Sequence, residues 1–103
     1  MDTIEKVYKI ETNIGDNPYP NSAFTSRKKC EGIITNMAIK RYGKPTYEAD
    51  SVEVTLVNDY WGGDISYDEL KKHLDEKFNE VMQSALYYDF INLYWIEEIN
   101  IIY

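Results

Sequence analysis

The segment from Ile65 to Tyr88 has the periodicity of a long amphipathic helix, and it constrains the fold more than any other part of the sequence. Its apolar side chains recur at steps of three and four residues, which places them on one helix face; they are Leu70, Leu74, Phe78, Val81, Ala85 and Tyr88. Ser66 and Glu69 have the spacing of a capping box, and Ile65 and Leu70 that of a hydrophobic staple. A helix with one apolar face needs a second layer to cover it, so other segments must supply that layer.

The remaining segments alternate between strand and helix patterns. Residues 4–11 and 51–58 alternate between apolar and polar side chains, which predicts two half-buried strands. A helix is predicted from Ser22 or Ser26 to Tyr42, because Cys30, Ile33, Ile34, Met37 and Ala38 form one apolar stripe and Gly43 and Pro45 follow as stop signals. Residues 90–103 are rich in β-branched and aromatic side chains, which favours a final strand.

The predicted order of elements is therefore β-α-β-α-β. Both helices are amphipathic on one side only, and the first two strands have one polar face. We expect one α+β domain over residues 1–103, a two-layer sandwich with both helices on one face of a three- to four-stranded sheet. The final strand, which has the most apolar residues, is expected at the centre of the sheet. A small parallel three-layer fold is the less favoured alternative.

Composition indicates the compartment and the class of partner. The single cysteine, Cys30, excludes an intrachain disulfide, and the first residues lack the pattern of a signal peptide. No apolar run approaches the length of about 20 residues that crosses a membrane. We therefore expect a cytoplasmic protein. Its net charge of −7 argues against direct binding to nucleic acid or to anionic lipid, because phosphate binding depends on Lys and Arg.

No residue pattern indicates catalysis. His73, the only histidine, has no nucleophile or pocket predicted beside it, and Cys30 falls on the apolar stripe of the first helix. Acids around Gly62 and Gly63 do not have the spacing of an EF-hand, so we read them as solvated rather than metal-binding. The sequence predicts a protein without enzymatic activity, metal or cofactor.

Charge is distributed unevenly along the chain, and its acidic part is the main candidate for a binding surface. Residues 45–103 contain thirteen acids and three lysines. A loop and the outer face of the predicted second helix combine acids with aromatic rings; these candidate partner-binding residues are Asp59, Tyr60, Trp61, Asp64, Tyr67, Asp68, Asp75, Glu76 and Glu80. Carboxylates that replace phosphates, with rings as anchors, suit a partner protein with a basic groove. The alternative is that these acids only keep the protein soluble.

Basic residues cluster at the two ends of the predicted first helix. Arg27, Lys28 and Lys29 lie at its start, where cations oppose the helix dipole, and Lys40 and Arg41 lie at its end, where they suit it. An anionic partner is one explanation for the first cluster. The other is neutralisation by acids of the same chain or of a second copy, so a homodimer is a further option.

In general character the chain resembles the small acidic inhibitors of phages and mobile elements, such as anti-restriction and anti-CRISPR proteins. The likeness is one of size and composition; it rests on no motif and transfers no residue. The first hypothesis is therefore a non-enzymatic inhibitor that occupies the basic surface of a bacterial nucleic-acid-handling protein. The alternatives are an immunity protein that neutralises a toxin nuclease, and a small enzyme or ligand-binding domain.

Overall fold

The computed structural model describes residues 4–15 and 17–102, and within them the fold is α+β with the element order β-α-α-α-α-β. The elements are β1 (Ile4–Thr12), α1 (Arg27–Tyr42), α2 (Ser51–Trp61), α3 (Tyr67–Leu74), a 3₁₀ turn (Asp75–Lys77), α4 (Phe78–Asn92) and β2 (Tyr94–Ile102). The predicted three- to four-stranded sheet is wrong, because the described residues form one sheet of two antiparallel strands, β1 and β2.

The segment predicted as a second strand is a helix. Asp50 caps α2 and forms a capping box with Glu53, each accepting a hydrogen bond from the other's backbone N–H. Strand alternation would have placed Val52 and Val54 together with Leu56 on a buried face. In the helix, Val52 is instead 67% exposed and Val57 is fully buried. The capping box and the burial of Val57 therefore both favour a helix over the alternating pattern.

The helix predicted from Ser66 onwards is divided in two. Ser66 caps α3 as predicted, accepting from the backbone N–H of Glu69, but Asp75 has a φ of 52° and α3 ends before it. A straight helix from Leu70 to Ala85 would be about 24 Å long, whereas the eleven residues of α2 extend about 16 Å. The break lets both α3 and α4 pack against α2.

The first helix and the first strand are confirmed. Ser26 caps α1 by accepting from the backbone N–H of Lys29, and α1 ends at Gly43, which has a φ of 79°. Gly43 adopts this left-handed conformation without the steric cost of a Cβ atom.

Two hydrophobic clusters divide the molecule into two lobes. The ribbon lobe comprises β1, β2, α1 and the end of α4, around a buried set that is Ile10, Cys30, Ile34, Ala38, Tyr87, Phe90 and Tyr94. The helical lobe comprises α2, α3 and the start of α4, around Val57, Leu70, Leu74 and Val81. Because α4 contributes to both clusters, it connects the lobes along a molecule that measures 63 × 25 × 23 Å.

The final strand is not the buried centre of a sheet. β2 begins at Tyr94, two residues after α4 ends, and Tyr94 is its only buried residue. Ile10 of β1 lies opposite Ile96 and faces α1, whereas Ile99 and Ile101 lie on the opposite face of the ribbon. No described layer covers that face, so the apolar composition of β2 did not translate into burial.

Candidate protein-binding surface

Aromatic contacts in the helical lobe bring together the ends of three elements that carry the predicted acids. The ring of Tyr67 at the start of α3 lies edge-on to Tyr60 of α2, at 6.0 Å between centroids, and to Phe78 of α4, at 5.3 Å. Tyr67 is nevertheless 48% exposed. This row of rings gives the surface a rigid apolar centre, because edge-to-face pairs favour one geometry.

The predicted acids of the same segment are exposed, except Asp59, which is half-buried, and Glu80 lines a depression at the end of α1 together with Lys44. We call the following six residues the acidic surface: Asp59, Asp64, Asp68, Asp75, Glu76 and Glu80. They come from the end of α2, the loop after it, the start of α3, the 3₁₀ turn and the first turn of α4. The backbone N–H of Asp64 donates to the carbonyl oxygen of Asp59 at 2.8 Å, which holds the loop closed against α2.

The carboxylates of the acidic surface form no ion pair with a described residue. The ion pairs among residues 4–15 and 17–102 join Lys6 to Glu98, Lys9 to Glu11 and Arg27 to Glu31, and none includes a member of the acidic surface.

Two lysines of the helical lobe lie against aromatic rings rather than against the carboxylates of the acidic surface. The ammonium group of Lys71 is 6.0 Å from the ring of Phe78, and that of Lys77 is 5.4 Å from the ring of Tyr47. Neither ammonium group forms an ion pair with a carboxylate of the acidic surface.

Trp61 is placed apart from this group of rings. It is the last residue of α2 and is 41% exposed, as a surface anchor requires. Whereas its neighbour Tyr60 contacts Tyr67, Trp61 lines a groove between α2 and α4 together with Tyr88. Of the three aromatic residues predicted to bind a partner, Tyr60 and Tyr67 therefore lie together, whereas Trp61 lies in the groove.

The predicted basic residues do not form one patch. All five are exposed, and they occupy the two ends of α1, a helix of sixteen residues and hence about 24 Å long. Arg27 pairs with Glu31, with 3.6 Å between Nε and Oε1, and Lys29 lies over the ring of Phe24. The guanidinium of Arg41 lies 5.6 Å from the ring of Tyr42 and 5.7 Å from that of Phe90. Among the described residues, no ion pair connects either end of α1 to the acidic surface.

The reactive side chains considered in the sequence occupy ordinary positions. Cys30 is buried in the ribbon lobe, its thiol lies 3.8 Å from the carbonyl oxygen of Tyr8, and burial raises the pKa of the thiol. A raised pKa disfavours the reactive thiolate. His73 is exposed on α3. Within the described part of the chain, no three metal-ligating side chains come together, and no helix is long and apolar enough to span a membrane.

Sequence reasoning missed the groove between α2 and α4. A strand at residues 51–58 puts Val54 and Val57 on opposite faces and ends before Trp61, so the predicted fold does not make these three residues neighbours. At spacings of three and four residues they share a helix face. The capping box of Asp50 and Glu53 was the signal that would have revealed it.

Comparison of the chain with protein-family models, with curated proteins and with solved structures found no match. The proposed function therefore rests on the geometry and charge of the described residues.

Proposed function

We propose that this protein is a non-enzymatic inhibitor whose acidic surface occupies the basic, nucleic-acid-binding surface of a bacterial partner protein. The observation that carries the proposal is the set of six exposed or half-buried carboxylates between Asp59 and Glu80, none of which forms an ion pair with a described residue. Groups that are already paired have little to offer a partner, whereas these are free to meet its Lys and Arg side chains.

The charge density of the surface supports a partial imitation of nucleic acid. DNA carries about one charge per 1.7 Å of its axis, a density that six carboxylates spread over three helices, a loop and a 3₁₀ turn do not reach. Tyr67 and the rings that hold it would add apolar contact at the centre, where interfaces usually gain most of their affinity. The carboxylates would then contribute mainly association rate and selectivity for basic surfaces.

A capture experiment with matched charge reversals tests the proposal. Tagged protein is used to capture partners from bacterial extract, and bound proteins are identified by mass spectrometry, before and after addition of duplex DNA. We expect nucleic-acid-handling proteins that DNA and salt displace. Capture of a toxin nuclease would identify the chain as an immunity protein acting through the same surface.

Glu80→Lys is the informative variant and Glu48→Lys its control. Both glutamates are exposed, and both changes alter the net charge equally, but Glu48 lies outside the acidic surface. We expect Glu80→Lys to weaken capture roughly tenfold and to reduce its dependence on salt, because a like charge would now face the partner. The double variant Glu76→Lys/Glu80→Lys should abolish capture. Equal capture by both single variants, with the fold intact, would reject the proposal.

A further inference from the structure

The groove between α2 and α4 has the chemical composition of a cation site. Its walls include the rings of Trp61 and Tyr88, which are 41% and 50% exposed, and the apolar side chains of Val54, Val57 and Ala85. Its polar groups are the carboxylate of Asp89, the amides of Asn58 and Asn92 and the hydroxyl of Ser84. No Lys or Arg lines it.

Ser84 distinguishes this groove from a simple apolar depression. The residue is only 1% exposed, and its hydroxyl oxygen has no hydrogen-bond partner among the described residues. A buried hydroxyl without a partner costs stability, about 1–3 kcal/mol in mutational data. Ser84 lines the groove, but its oxygen is covered, so an N–H of a bound ligand would satisfy it only after a small shift of the side chains above it.

The size of the groove limits the ligand to one small group. Its volume is about 200 Å³, and a cavity of about 150 Å³ is known to accept a benzene ring. The groove therefore has room for one planar group of about the size of a benzene ring.

We infer that this groove binds the guanidinium group of an arginine side chain. A guanidinium is planar, carries five N–H donors and no acceptor, and stacks on aromatic faces. Its donors match the Ser84 oxygen and the Asp89 carboxylate, its charge matches a lining with one carboxylate and no base, and Trp61 supplies the ring. A neutral phenol or indole would gain the same apolar contact but would leave Asp89 without a counter-charge. The inference is independent of the acidic surface, whose residues do not line the groove.

Titration with N-acetyl-arginine amide, followed by heteronuclear NMR, tests this inference. N-acetyl-citrulline amide, which has nearly the same shape without the charge, is the control ligand. We expect saturable shifts at the Trp61 indole and at Ala85 and Tyr88, with a Kd for the arginine probe roughly fivefold below that for citrulline. Equal affinity for citrulline or phenol, or shifts confined to the acidic surface, would overturn it.

Variants separate a ligand-binding role from a structural one. Trp61→Ala should weaken arginine binding roughly fivefold, whereas Trp95→Ala removes an exposed tryptophan of the ribbon and should leave it unchanged. Ser84→Ala should weaken binding roughly threefold yet raise the melting temperature, because it removes the unpartnered hydroxyl. Asp89→Asn should bring the arginine and citrulline affinities within about twofold of each other.

The same titration distinguishes this inference from the proposed function. Glu76→Lys/Glu80→Lys should leave the arginine shifts at the groove unchanged while it abolishes partner capture. Retained capture together with absent arginine shifts would reject the groove site alone. Loss of the groove shifts in the folded Glu76→Lys/Glu80→Lys variant would show that the probe responds to the acidic surface and would also reject it.

Discussion

The hydroxyl of Tyr47 donates to the carboxylate of Glu53, at 2.8 Å from Oε1 and 3.0 Å from Oε2. Oε1 of the same glutamate also accepts from the backbone N–H of Asp50 at 3.0 Å, and Oδ1 of Asp50 accepts from the N–H of Glu53 at 2.9 Å. This local network begins α2, the helix that carries Trp61 and one side of the acidic surface. Its integrity therefore underlies both proposed sites.

Removal of the cap should destabilise the helical lobe. Asp50→Ala leaves the N–H of Glu53 without its acceptor, so we expect the free energy of unfolding to fall by about 1 kcal/mol. Denaturant titration measures the change. Glu48→Ala, an exposed acid just before the cap, should stay within about 0.5 kcal/mol of the wild type. Equal effects of both changes would contradict the assigned cap.

The phenol of Tyr47 should titrate at unusually high pH. Its hydrogen bond to Glu53, followed by burial, raises the pKa of Tyr47 above the ordinary value of 10.0. Since the folded pKa exceeds the unfolded one, the stabilisation is complete below about pH 10 and is lost as the pH rises through the folded pKa. NMR titration of the Tyr47 ring carbon should show this midpoint. Glu53→Gln, which retains a capping-box residue, should lower it; an unchanged midpoint would contradict the assigned cause.

The side chain of Gln83 connects the two lobes, and its removal should destabilise the protein. Its side-chain amide donates to the carbonyl oxygens of Tyr42, at 2.9 Å, and Gly43, at 2.8 Å, where α1 ends. We expect Gln83→Ala to lower the free energy of unfolding by about 1–2 kcal/mol. Gln83→Glu should cost more, because a carboxylate cannot donate and would lie at the negative end of α1.

Thermal and denaturant unfolding measure both Gln83 variants. Asn79→Ala, one helical turn earlier and exposed, is the control and should have little effect. A Gln83→Glu variant as stable as the wild type would exclude the two hydrogen bonds.

Two valines of α2 distinguish a helix from a strand. Val57 is fully buried, so Val57→Ala should cost about 2 kcal/mol, whereas Val52, which is 67% exposed, should tolerate alanine with almost no change. Equilibrium unfolding of both variants measures the difference. If residues 51–58 were a half-buried strand, Val52→Ala would be the costly change, and that result would refute α2.

Several features were predictable because they depend on neighbours in sequence. The bounds of α1 were predicted correctly from Ser26, Gly43 and the apolar stripe through Cys30 and Ile34. The start of α3 was predicted correctly from Ser66. That none of the six carboxylates of the acidic surface is buried was also predictable, since charged side chains rarely lose contact with water; five are exposed and Asp59 is half-buried. Whether they bind a partner stays a prediction.

By itself, then, the sequence determined an α+β chain of one cysteine and net charge −7, with its acids concentrated in the second half and with helix caps at Ser26 and Ser66. Only the tertiary structure decided the rest. Residues 51–58 alternate well enough for a strand, and although the capping box of Asp50 and Glu53 favours a helix start, the choice of α2 also depends on Val57 meeting Leu70 and Val81 in one cluster. Tertiary packing also decides three further features, which are the break at Asp75, the separation of Trp61 from Tyr60 and the groove at Ser84. Each depends on which elements pack together, and such contacts join residues that no local pattern relates.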